Sequence, residues 1–209
     1  QASDWSSDVC LPISSGPAPA TWTPEYFHRK YGTDAATPPK RGFDSVTVPG
    51  AVAGWVALSE RFGKLPFADL LEPAIEVAER GYLIPVVVQQ KWAAATPELQ
   101  SQPGFAQSFL PWGRAPQVGE LFQFKNAARG LKAIAATKGQ ALYGGEIAHA
   151  IEKFAKDNGG SITAKGPMGL DGCNHEGLNR NLRDALTGIG DFPRVRVLFS
   201  HGTPPLFPQ

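Results

Sequence analysis

Apolar residues at helical spacing, cut at short intervals by glycine and proline, most constrain what this chain can fold into. From Ala51, the residues Val52, Trp55, Leu58 and Phe62 fall three or four apart, and Gly63 follows as a stop. Pro66 opens a second stretch in which Leu71, Ile75 and Ala78 share a face, closed by Gly81. Pro73 lies inside it and predicts a break or a new first turn, because proline has no N–H to donate to the turn behind it. Thr23-Pro24-Glu25 predicts a short helix with Thr23 as N-cap and Gly32 at its end. Residues 86–95 predict a third helix after Pro85, although three consecutive valines are weak helix formers. Asn126 predicts the N-cap of a helix over 127–138 that ends at Gly139. Residues 144–157 predict another, with Ile147, Ile151, Phe154 and Ala155 on one stripe, a Glu152–Lys156 pair outside and Asn158-Gly159-Gly160 as the stop.

Strand signals are few. Ser45-Val46-Thr47-Val48 has β-branched content and ends at Pro49-Gly50, and Val195-Arg196-Val197-Leu198-Phe199 reads the same way. Residues 96–118, rich in proline, read as loop with a turn or two, and residues 1–22, with Pro12, Pro17 and Pro19, read as an irregular leading segment. The expected class is α+β, mainly helical with few short strands. The expected organisation is 1–22 irregular, 23–165 folded, and 166–209 an unassigned tail in which the helical stripes fade.

A length of 209 residues with 42% hydrophobic and 19% charged residues suits a globular chain with a real core. The formal net charge of +1 supplies no electrostatic reason to expect nucleic acid as a partner, and no stretch is long and apolar enough to predict a membrane span. Cys10 and Cys173 are too few for a disulfide framework and lack C-x-x-C spacing; a single bridge between them stays open. The first residue is Gln1, so a processed piece or a fragment of something longer is the expectation. The compartment stays open between periplasmic, secreted and cytoplasmic.

Several motifs run collinearly. They are Ser45-Val46-Thr47-Val48-Pro49-Gly50-Ala51-Val52-Ala53-Gly54-Trp55, then Arg61-Phe62-Gly63-Lys64-Leu65-Pro66, then Leu71-Glu72-Pro73-Ala74-Ile75-Glu76-Val77-Ala78-Glu79-Arg80-Gly81. Ala141-Leu142-Tyr143-Gly144-Gly145-Glu146-Ile147-Ala148 and Asn158-Gly159-Gly160-Ser161-Ile162-Thr163 follow. Over about residues 23–165 the chain resembles the large subunit of the γ-glutamyltransferase (γ-glutamyltranspeptidase) family, including its cephalosporin-acylase-like branch. The resemblance implies a portion of a four-layer αββα N-terminal-nucleophile hydrolase, whose precursor cuts itself to expose a threonine that serves as nucleophile with its own amine as base. It also implies a separate small subunit carrying that threonine, a small γ-glutamyl or amide substrate, and no cofactor.

The sequence departs from that pattern in three places. The Thr-Thr-His motif that opens the family's small subunit does not occur in it. Ala18-Pro19-Ala20 is similar to the family's Ala-Pro-Ala motif, yet Ile13, Ser14, Ser15, Gly16 and Pro17 include no counterpart of the arginine that binds a substrate carboxylate there. After Ile162-Thr163 the family continues with an acidic helical segment, whereas here Gly166-Pro167-Met168-Gly169 follows, which predicts a sequence error or frame change near Lys165 ahead of true divergence.

No residue of this chain is assigned a catalytic, substrate-binding or metal-binding role. Asp171, Cys173, His175 and His201 are ligand-type residues, but Cys173-Asn174-His175 matches no standard metal spacing. Ser200-His201 are adjacent on a predicted extended chain and face opposite ways. His28 and His149 read as solvated helix histidines, Glu76 and Glu79 as part of a charged outer face beside Arg80, Gly159-Gly160-Ser161 as a helix stop rather than a phosphate cradle, and the five tryptophans as core or rim. The leading expectation is a large-subunit portion of a γ-glutamyl-transferring or hydrolysing enzyme, inactive alone. The others are a non-catalytic structural or binding remnant of that scaffold and a cephalosporin or amide acylase of the related branch.

Overall fold

Helix α1, Pro24–Tyr31, starts where the sequence marks it: Thr23 is extended, its hydroxyl accepts from the Tyr26 N–H at 3.2 Å, and Pro24 sits in the first turn. The structure is a computed structural model that describes residues 18–33, 39–166 and 169–170. A 3-10 turn, Phe43–Ser45, leads to α2 (Ala51–Phe62), α3 (Phe67–Arg80), β1 (Tyr82–Leu83), α4 (Val86–Leu99) and the short α5 (Phe105–Phe109). Strand β2 (Leu121–Phe122), α6 (Lys125–Thr137), the single turn α7 (Gln140–Tyr143) and α8 (Glu146–Asp157) complete the order. Among the described residues the only ladder is β1 antiparallel to β2, with Tyr82 opposite Phe122 and Leu83 opposite Leu121.

The apolar faces meet in one cluster that includes Val48, Val52, Val56, Phe67, Leu71, Ile75, Ile134, Tyr143 and Ile162. Helix α3 lies along α6, and each aliphatic side chain buried there contributes about 1.5–3 kcal/mol. That burial explains why Pro73 does not break α3. Phe67, Leu71 and Ile75 are buried on both sides of the proline, so the packing of the whole face outweighs one missing donor.

Helix α2 corrects the expected face. Val52, Ala53, Gly54 and Val56 are buried, whereas Trp55 and Leu58 are 46% and 37% exposed. The small residues Ala53 and Gly54 permit close approach, and the larger side chains point outward. Gly50 offers no side-chain cap to this helix, but Tyr143, the last residue of α7, accepts the Ala53 N–H on its phenolic oxygen at 2.9 Å.

Other boundaries move as well. Ser45 belongs to the 3-10 turn and residues 46–48 make no ladder among the described residues, because β-branched residues favour extended backbone but cannot supply a partner strand. Helix α4 runs on through Pro97 to Leu99, and α5 forms in the stretch expected to be loop, entered through the left-handed Gly104. Asn126 is not a cap: α6 begins at Lys125, two residues earlier than expected, after Phe124, and Asn126 Oδ1 accepts from Arg129 Nη2 at 2.6 Å. Gly144 and Gly145 lie between α7 and α8 rather than in a helix, and the i,i+4 pair on α8 is Lys153–Asp157 at 2.6 Å instead of Glu152–Lys156. On α8 Ala148 and Ala155 are buried, Ile147 and Ile151 pack against the core, and Phe154 is largely exposed with its ring edge-on to Phe43.

Candidate functional site

The most concentrated polar chemistry surrounds Asp44, a residue that sequence reasoning passed over. The 3-10 turn places its carboxylate inside, 2% exposed, where α1 supplies every partner. Tyr26 donates its hydroxyl to Oδ1 at 2.9 Å, Tyr31 donates to Oδ2 at 2.6 Å, and the Lys30 ammonium lies 2.6 Å from Oδ2. Lys30 also donates to the Tyr26 hydroxyl and to the Gly159 carbonyl at 2.7 Å, and sits 5.4 Å and 5.7 Å from the centres of the Tyr26 and Tyr31 rings. Burial pushes the Asp44 carboxyl up, but the bonds from Lys30, Tyr31 and Tyr26 outweigh it and hold the group below its ordinary range. Tyr31 is raised, by burial and by the Asp44 charge it faces. Three donors from α1 engage the two carboxylate oxygens, so the cluster joins α1 to the 3-10 turn.

The second feature is an apolar groove of about 590 Å³ beside α3. Ala74 and Val77 form one wall, and Trp92, Phe109, Phe122 and Phe124 line the rest. The rings meet edge to face: Trp92 and Phe122 have centroids 4.9 Å apart at 76°, Phe109 and Phe124 5.2 Å apart at 67°. The Trp92 Nε1 is buried without a hydrogen-bond partner. The volume suits a small apolar group, and the lining is apolar apart from the side chains of Tyr82 and Trp92.

The residues weighed from the sequence do not converge. His28 and His149 are exposed, the latter with Nδ1 3.9 Å from Glu152 Oε2. Glu76 pairs with Arg80 on the same helix and Glu79 with Lys132 across on α6, both at the surface. At Gly159 and Gly160 the amides turn back into α8, to Lys156 O at 3.3 Å and Ala155 O at 2.7 Å, so these two are not turned toward an anion. Gly160 serves close packing, since a Cβ there would lie 2.5 Å from Phe43 Cγ. The Ser161 hydroxyl is buried with no partner. Trp22, Trp55, Trp92 and Trp112 form no shared platform: Trp22 packs edge-on to Phe27 and Trp112 lies under Arg114. Residues 18–20 turn into α1 through the Trp22 N–H to Pro19 O bond of 2.9 Å.

Cys10, Asp171, Cys173, His175, Ser200, His201 and the strand expected at 195–199 lie outside the described residues. Among the described residues no group of three His, Cys, Asp or Glu side chains gathers as a metal site, and no helix is long and apolar enough to cross a membrane. Asp44 had one signal in the sequence. Tyr26, Lys30 and Tyr31 fall on one side of α1, a set of donors awaiting an acceptor.

Residues 7–166 match the family model of gamma-glutamyltranspeptidase. The Acylase ACY 1 proenzyme of Pseudomonas sp. (strain V22) is 39% identical over 121 residues, 58% of this chain and 22% of the acylase. The glutathione hydrolase-like YwrD proenzyme of Bacillus subtilis (strain 168) is 36% identical over 126 residues, 60% of this chain and 24% of that protein. Among solved structures, the cephalosporin acylase from Bacillus halodurans superposes with a TM-score of 0.68 at 36% identity, over 73% of this chain and 29% of the acylase. The Helicobacter pylori gamma-glutamyltranspeptidase does so with a TM-score of 0.66 at 31% identity, over 71% and 43%. The chain thus spans less than a quarter of the length of each of these two curated relatives, 22% and 24%. The mainly helical fold, the family motifs and the match across 7–166 agree, and the chain belongs to the gamma-glutamyltranspeptidase family.

Proposed function

We propose that this chain is the large-subunit portion of a γ-glutamyltransferase-like enzyme of the N-terminal-nucleophile class, and that its reaction requires a separate small subunit beginning with threonine. The match across residues 7–166 carries the reading. Two observations support a nucleophile supplied elsewhere: the sequence has no Thr-Thr-His motif, and the Asp44 carboxylate is buried and paired within its own cluster. In this reading the helices described here belong to an outer layer of a four-layer αββα sandwich, and the sheets come from the remaining polypeptide. The substrate is a small γ-glutamyl compound or a related amide. Hydrolysis or transfer proceeds through an acyl group held on the threonine oxygen of the partner subunit.

The acylase branch is a second reading, favoured by the 39% identity to the Pseudomonas acylase and by the superposition on the Bacillus halodurans acylase. The tail from Gly166 is proposed to depart from the family frame, which peptide mass mapping across the Lys165–Gly166 junction tests. For activity, the test is release of p-nitroaniline from a γ-glutamyl anilide. The isolated chain is expected to give no turnover. Turnover that a point substitution within these 209 residues abolishes would overturn the assignment.

A further inference from the structure

We infer that helix α1 is a strap docked through the buried carboxylate of Asp44, and that it opens as a unit, without unfolding of the rest of the chain, when that carboxylate loses its charge. This inference stands apart from the proposed reaction and survives its failure.

The geometry singles out α1. Among the described residues it shares with α4 and the short α5 the absence of any fully buried residue, so apolar packing holds it weakly. Polar contacts take that place, and they converge on one point. Tyr26, Lys30 and Tyr31 all reach the two oxygens of Asp44, which sits on a different element and is itself enclosed. Lys30 extends the connection to the Gly159 carbonyl beyond α8.

Among the described residues, the groups facing Asp44 are those three from α1 and no others that titrate. Ser45 turns its hydroxyl to Gly42 O at 2.7 Å, and the turn after α8 offers only a carbonyl, which Lys30 takes. When a solvent proton binds one oxygen of Asp44, that oxygen becomes a donor and the Lys30 ammonium loses its counter-charge. The two tyrosine hydroxyls and the ammonium are then three donors around a group with less acceptor capacity, and all three reach water once α1 lifts. The partners hold the Asp44 carboxyl below its ordinary value, so the strap stays closed above the ordinary carboxylate range, near pH 4, and opens as pH falls through the lower folded value.

Hydrogen–deuterium exchange read by peptide mass tests the inference on the whole chain. In Asp44→Asn at neutral pH, the peptide spanning residues 22–32 is expected to lose at least tenfold in protection, while peptides from α3, α6 and α8 exchange as in the unsubstituted protein. Acid should produce the same local loss in the unsubstituted protein, and Asp44→Asn should remove that pH dependence. Unchanged protection over 22–32 in Asp44→Asn overturns the inference. So does loss spread equally over α3, α6 and α8, which would mean that the cluster supports the whole body. If Asp44→Asn does not fold, Lys30→Met, altered at the more exposed partner, carries the same two readings.

Discussion

At Ala53, a buried N–H in the first turn of α2 finds its acceptor not in a capping side chain but in the hydroxyl of Tyr143, 90 residues away. Removing that oxygen alone leaves the donor enclosed and unsatisfied. Tyr143→Phe is therefore expected to lower stability by about 1–3 kcal/mol in urea unfolding, with helix content retained. Glu120 poses a different electrostatic case. Arg114 grips both its oxygens, at 3.0 Å and 2.6 Å, and the Gln117 N–H donates at 2.7 Å. These partners push its carboxyl down to about 2. A carbon-detected NMR titration should show Glu120 ionised at pH 3, where ordinary glutamates are protonated, and Arg114→Lys should raise its midpoint because an ammonium cannot form the paired bonds. Asp44 and Tyr143 act across long separations, and no local pattern encodes a partner on another element.

Among the elements, the β1–β2 ladder, which follows α3 and precedes α6, depends on a tight exit from α3. Gly81 has φ 84°, and a Cβ there would lie 2.7 Å from the Phe122 carbonyl oxygen and 2.8 Å from Gln123 Cγ. Gly81→Ala combines a disfavoured backbone with a clash against the partner strand, so a loss of about 1–3 kcal/mol is expected from thermal or urea unfolding. The sequence marks this stop correctly, as it does the Thr23 cap and the ends of α2 and α3, because caps and terminators act within one turn. It misplaces the start of α6 for an equally local reason. Asn126 has the right chemistry, but the Phe124 N–H is tied to Ala78 O at 2.9 Å and the backbone is already turned into helix one residue before Asn126. Pro73 is the opposite case, a local signal overruled by the face that α3 buries against α6.

For the molecule as a whole, the sequence by itself determined the helical class, the positions of most helix ends and the family, since periodicity, capping residues and the collinear motifs are all local properties of the chain. Only the tertiary structure decided which face of α2 is buried, that α3 runs through its proline, that aromatic rings from four segments enclose a groove, and that Asp44 holds α1. The physical reason is that α2 is apolar on more than one side, so its periodicity names a helix without naming the side that meets the core. Burial is settled by which neighbour packs closest, and here the small residues Ala53 and Gly54 let Tyr143 and the core approach while Trp55 and Leu58 stay outside. A carboxylate is likewise legible as a residue, but its charge, its partners and its work are set by what the fold brings within 3 Å of it.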